Sequence, residues 1–181
     1  VGSEMCIRDR SQPFIIAGSG TLGWDLAAAN LLEKDDDVLV LSTGYFGDSF
    51  AECIEAFGGK PKQLSAPAGS RPNLDEFASL LKEKKYKAVT ITHVDTSTGI
   101  LMDVPAVTNV VKSVSPDTLV ILDGVCSVGS EEIHMDAWGV DFLLFASQKG
   151  IGIPPGLSLS LASPRAIQTF EKRSSPPAGF Y

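Results

Sequence analysis

Basic residues are in short supply: 15 lysines and arginines stand against 22 aspartates and glutamates, a net charge of −7. That balance argues against nucleic acid or an anionic membrane as partner, while leaving room for a local positive site. Long apolar runs are also missing. None approaches the roughly 20 residues that a bilayer-spanning helix needs. Cysteine is scarce, with three in 181 residues and no CxxC spacing. This argues against a metal cluster and suits a reducing, intracellular compartment. Cys53 and Cys126 read as core thiols. Of the two histidines, His134 follows two glutamates in a turn with no metal-binding partner near it in sequence. There is no internal repeat and no low-complexity tract.

What is present is an ordinary globular composition, 44% hydrophobic and 20% charged, long enough for one α/β domain. Residues 1–10, VGSEMCIRDR, fit neither a signal peptide nor a transit peptide and read as a foreign leader. The division expected is a leader over 1–11, one domain over 12–175, and the start of a further segment over 176–181.

Short apolar runs at 14–17, 38–41, 60–64, 88–92, 118–122, 140–145 and 157–161 alternate with helical patterns. Several of these runs carry no polar alternation, which marks strands buried on both faces. Helices are predicted from Trp24 to Leu32, over 48–57, from Leu74 behind the N-cap Asn73, over 104–114 with Pro105 in the first turn, and from Pro164. The lysines at 82–87 read as a solvated helix end. Such alternation predicts a three-layer α/β/α fold with a mainly parallel sheet.

In such sheets ligands sit outside the carboxyl ends of the strands. The strand at 118–122 ends on Asp123, and that at 140–145 runs into Ser147-Gln148-Lys149. Both side chains should therefore reach one crevice, with Lys149 buried in it. Read alone, the pair is equally an ion pair capping two strands. Two further strand ends add polar groups: Ser42-Thr43-Gly44-Tyr45-Phe46-Gly47, with an aromatic on a loop, and His93-Val94-Asp95-Thr96-Ser97-Thr98, with hydroxyls and a carboxylate. His93 reads either as an acid–base group or, more simply, as a hydrogen-bonded core residue.

Gly18-Ser19-Gly20-Thr21-Leu22-Gly23 matches G-x-G-x-x-G. A dinucleotide site would need an acid after the next strand to hold a ribose. Ser42-Thr43-Gly44 stands there instead. What survives is a small-residue loop at a helix N-terminus, able to hold a phosphate, or a glycine turn with a hydroxyl N-cap.

Five blocks together resemble the large domain of class V aminotransferases, which belong to fold type I of the pyridoxal 5'-phosphate (PLP) enzymes. They are the glycine loop with Trp24-Asp25, the 93–98 segment, Asp123-Gly124-Val125-Cys126-Ser127, Trp138-Gly139-Val140-Asp141-Phe142, and Ala146-Ser147-Gln148-Lys149. Within the family the similarity is to the alanine–glyoxylate group in its fungal type, over about residues 12–181.

The resemblance implies PLP as cofactor, bound covalently by the Schiff-base lysine Lys149, which also shuttles the proton. It implies that Asp123 binds the pyridine nitrogen, Val125 packs on the ring and Phe46 stacks on it, where many members carry tryptophan. Ser19, Gly20, Thr21 and Gln148 would hold the phosphate, with Thr96 near the ring hydroxyl. Thr21 stands where animal members have histidine.

The implied reaction transfers an amino group from alanine or serine to glyoxylate, giving pyruvate or hydroxypyruvate and glycine. The partners are then a small amino acid, a 2-oxo acid and a second subunit in a homodimer, in cytoplasm, peroxisome or mitochondrion. The family's N-terminal arm and C-terminal small domain, with the arginine for the substrate carboxylate, would lie outside these residues. The chain is therefore expected to be a fragment with the cofactor chemistry and little substrate recognition. Two other readings stay open: a cysteine desulfurase-like enzyme of the same class, and a nucleotide-binding module without catalysis. A fragment that folds poorly and does nothing is the third.

Overall fold

The central strands carry alternate residues into two separate apolar layers, as expected for strands covered on both faces. The computed structural model describes residues 11–179. The expected leader at 1–10, apart from its junction residue 11, lies outside them. The strands are β1 Gln12–Ala17, β2 Asp37–Ser42, β3 Lys60–Ser65, β4 Ala88–Thr92, β5 Leu119–Asp123, β6 Phe142–Ala146 and β7 Leu157–Ala162. Between them run α1 Leu22–Leu31, α2 Tyr45–Ala56, α3 Leu74–Glu83, α4 Val104–Val114 and α5 Met135–Trp138, with α6 Pro164–Glu171 last.

Leu119, Ile121, Phe142 and Leu144 pack with Leu26, Phe50, Ile54 and Ala166, from α1, α2 and α6. Val120, Leu122, Leu143 and Phe145 pack with Phe77, Val107 and Met135, from α3, α4 and α5. The fold is the expected three-layer α/β/α arrangement around one seven-stranded sheet.

Strand order is β1-β7-β6-β5-β4-β2-β3. The block from β2 to β6 is parallel, and β7 runs antiparallel to both β6 and β1. Strand β1 therefore points the same way as the parallel block. Its glycine loop, the segment after β4, Asp123 and the Lys149 turn all emerge at one edge of the sheet.

Helix α2 begins at Tyr45, three positions before the residue predicted from sequence, so Tyr45 and Phe46 sit on its first turn and not on a loop. The reason is a cap supplied from a distance. Asp95 Oδ2 accepts from the N–H groups of Phe46 (3.0 Å) and Gly47 (3.2 Å), and Ser97 Oγ accepts from Tyr45 N–H (3.0 Å). Three donors that a helix start leaves unpaired are thereby satisfied. Strand β6 starts later than predicted, at Phe142, because Asp141 is held aside. Its carboxylate accepts from Val120 N–H (2.8 Å) and from Ser163 Oγ (3.2 Å).

The third glycine of the loop has a packing role. A Cβ on Gly23 would lie 2.8 Å from Leu144 Cβ, so α1 approaches β6 only because that atom is missing. Gly23→Ala is expected to destabilise the protein by roughly 1–2 kcal/mol, the overpacking cost outweighing the gain in helix propensity. Denaturant unfolding checks this, and a stabilised variant would contradict it.

Candidate functional site

A cavity of about 150 Å³ opens at the carboxyl edge of the sheet. Its wall gathers every residue predicted to bind the cofactor: Ser19, Gly20 and Thr21 from the loop after β1, Phe46 from α2, Thr96 from beyond β4, Asp123 and Val125 from the end of β5, Gln148 and Lys149 from beyond β6. Trp24, Thr92, Val94 and Cys126 complete it.

Asp123 lies at its buried end, 4% exposed. One oxygen, Oδ1, accepts from Val125 N–H at 2.9 Å, and the other, Oδ2, from the Trp24 indole N–H at 2.7 Å. Burial pushes the carboxyl up to about 6; the two N–H donors act against burial, and the charge of Asp95 adds to it. Lys149 is exposed at the rim, not buried as expected. The two do not form an ion pair with each other among the described residues, so the strand-capping reading does not describe this geometry.

The glycine loop presents an anion-binding surface. Ser19 Oγ and Thr21 Oγ1 are 2.7 Å apart. Thr21 occupies the N-cap position of α1, yet its side chain caps no backbone N–H, so the simple hydroxyl-cap reading fails. Among the described residues the N–H groups of Ser19, Gly20 and Thr21 donate to no acceptor. A helix N-terminus with free N–H groups and two hydroxyls favours a phosphate. Gly20 also lets the loop close on Val125, since a Cβ there would meet Val125 Cγ2 at 2.9 Å.

Two buried oxygens in the cavity wall, Gln148 Oε1 and Thr92 Oγ1, have no hydrogen-bond partner among the described residues. Buried polar atoms are rarely left so, and a polar ligand would satisfy them. Together the free N–H groups, the hydroxyls, a buried carboxylate and a rim amine fit a ligand carrying a phosphate and a basic ring nitrogen. PLP is such a group.

Two sequence-based expectations need correction, that Asp95 reaches the cavity and that the cysteines are core thiols. Asp95 does not reach the cavity: it is fully buried and spends both oxygens on the start of α2 and on Ser97. Its effect on the site is to fix Phe46. Of the two readings of His93 the core one holds: it is 3% exposed, with its ring edge-on to Trp138 at 6.0 Å, though its buried Nδ1 has no hydrogen-bond partner among the described residues. The cysteines are not core thiols, for both are half-buried. Cys126 lines the cavity with its Sγ 2.7 Å from Thr96 Oγ1. Cys53 meets Asp25 Oδ1 at 3.5 Å and is pushed up to about 12, first by burial and then by that carboxylate.

Sequence reasoning placed Trp24 on the apolar face of α1 and missed its bond to Asp123. The available clue was that a buried indole N–H usually finds an acceptor.

Asp123 and His93 make opposing contributions to stability with pH. Asp123 is raised from 3.8 to about 6, so its contribution is complete below the lower value and lost as pH rises through the upper one. Burial lowers His93 from 6.5 to about 4, so its contribution is complete above 6.5 and lost as pH falls through about 4. Each amounts to about 3 kcal/mol, and the two largely cancel between about pH 4 and 6. In the ligand-free protein Asp123→Asn should therefore lose stability on acidification relative to wild type, and His93→Phe should gain it. Chemical denaturation across that window checks both, and parallel curves for all three proteins would refute the balance.

A family model described as Aminotransferase class-V matches residues 8–175. The chain is 49% identical over 160 residues to alanine–glyoxylate aminotransferase 1 of Saccharomyces cerevisiae, an overlap of 86% of this chain and 42% of that protein. The crystal structure of an alanine–glyoxylate aminotransferase from Nostoc sp. superposes with a TM-score of 0.88 at 32% identity, over 93% of this chain and 44% of the other. That of the ureidoglycine–glyoxylate aminotransferase of Bacillus subtilis gives 0.90 at 26% identity, over 98% and 46%. The chain thus spans less than half the length of each.

Proposed function

The chain belongs to the class V aminotransferases, and from that premise we propose that it is the PLP-binding part of an enzyme moving an amino group from alanine or serine to glyoxylate. The observation that carries the reading is one cavity holding a buried, doubly hydrogen-bonded carboxylate, a rim lysine and a glycine loop with free N–H groups. The names of the yeast and Nostoc relatives supply the substrate pair.

Bound PLP supplies an electron sink for the bond broken at the substrate's Cα. In this reading Asp123 would accept a hydrogen bond from the pyridine nitrogen and favour its protonated form. Lys149 Nζ would hold the cofactor covalently and, as a free amine, would be the acid–base group that takes up the substrate's Cα proton. Ser19, Gly20, Thr21 and Gln148 would hold the phosphate, Thr96 would serve the ring hydroxyl, and Phe46 and Val125 would pack against the ring. The one-piece PLP-binding domain at 12–175 and the homodimer belong to the same proposal.

The test is turnover. Supplied with PLP, the whole protein should convert alanine and glyoxylate, or serine and glyoxylate, into glycine and the matching 2-oxo acid. Binding of PLP without turnover on either donor would overturn the substrate assignment. Absence of PLP binding would overturn the cofactor. A second species in sedimentation, at twice the protomer mass, is expected, and a monomer under assay conditions would remove the dimer from the reading.

A further inference from the structure

Trp24 is 6% exposed, and its ring stacks on Phe50 with centroids 5.2 Å apart and planes at 12°. Phe46, which lines the cavity, meets it edge-on at 6.3 Å. These contacts fix the rotation of the indole, and that rotation aims its N–H at Asp123 Oδ2, 2.7 Å away and 99 residues later in the chain. Val125 N–H takes the other oxygen. The carboxylate plane is thus set by two donors on two different elements, α1 and the turn after β5, while both oxygens keep further acceptor capacity.

We propose that Trp24 is a positioning residue for Asp123, its indole N–H fixing the carboxylate's orientation and favouring its ionised form toward a bound pyridine ring. The inference rests on the PLP reading and adds to it a residue outside the set that reading uses. The physical need is visible in the surroundings. Asp123 is buried, the carboxylate of Asp95 repels its charge, His93 on the neighbouring strand end is held neutral, and Lys149 is out at the rim without an ion pair to it. Among the described residues, Trp24 is the side chain that donates a hydrogen bond to the charge. Bonds to an ionised acceptor are about twice as strong as neutral ones.

The test combines two measurements on the whole protein. First, carbon-13 NMR follows the Asp123 carboxyl in the PLP-free protein, with Asp123→Asn to assign the signal. Second, the PLP dissociation constant is measured from about pH 5 to about pH 8, on either side of the Asp123 midpoint. Trp24→Phe should move the Asp123 midpoint up by about one pH unit and weaken PLP about tenfold near pH 5 but only about twofold near pH 7. That deficit should shrink as pH rises, because Asp123 then ionises in every protein. A role in packing alone would give a deficit that does not change with pH. Trp138→Phe, which removes an indole away from the cavity, should leave both measurements at wild-type values.

Should Trp24→Phe fold poorly, β-(3-benzothienyl)alanine at position 24 keeps the ring shape and replaces the N–H by sulfur, and the same changes are expected of it. An unchanged Asp123 midpoint, or a deficit independent of pH, in a folded variant overturns the role of Trp24. Failure of the wild-type protein to bind PLP is a separate result and overturns the reading of the site.

Discussion

Lys149→Ala should abolish transamination, with a fall in rate of at least about 10³-fold, since a positioned acid–base group alone contributes roughly 10²–10⁴. Wild-type protein loaded with PLP should be coloured, and borohydride reduction should fix the cofactor on the peptide that contains Lys149. The variant should lose that attachment. It should still bind PLP reversibly, because the phosphate loop, Phe46 and Asp123 are untouched by the change. Retained turnover in Lys149→Ala, or reductive labelling of a different lysine, would remove the central residue of the proposal. The experiment also separates an enzyme from a nucleotide-binding module, which has no use for a covalent lysine.

Asp123→Asn is expected to show the converse pattern: attachment to Lys149 kept, rate reduced by roughly 10²–10³, the range seen when one charge-stabilising contact is removed from a site. The geometry supplies two reasons. An amide carries no charge to hold the ring nitrogen protonated. It also offers one acceptor where the carboxylate offers two, so either Trp24 Nε1 or Val125 N–H loses its partner. Cofactor affinity should therefore fall together with rate, and reductive labelling at saturating PLP should still report Lys149. A variant with wild-type rate would show that Asp123 does not pair with the ring, whatever its place in the cavity.

The two variants divide the site along a line that the sequence already drew. Asp123 and Lys149 were recognisable because each ends an apolar run, and runs of Leu, Ile, Val and Phe declare a strand covered on both faces without help from the rest of the chain. The same argument placed Ser19, Gly20 and Thr21 at a strand end, and the structure brings them to the same cavity. The roles of Phe46, Thr96, Val125 and Gln148 came from the family resemblance, and these residues too line the cavity. Asp95 and His93 illustrate the limit of that logic. Both follow β4 at the correct edge, yet each turns into protein, one to cap α2 and the other to pack beside Trp138.

By itself the sequence determined the layer architecture, the strand ends and the edge at which polar groups collect. Those follow from hydrophobic periodicity and turn chemistry, which are properties of a few neighbouring residues. Tertiary structure alone decided that α2 starts at Tyr45, that Lys149 stands at the rim, that Cys126 faces the cavity beside Thr96, and that Trp24 holds Asp123. Each of these depends on groups tens of residues apart meeting at hydrogen-bond or packing distance. That meeting is set by how helices seat on the sheet, and nothing in a local pattern of residues encodes it.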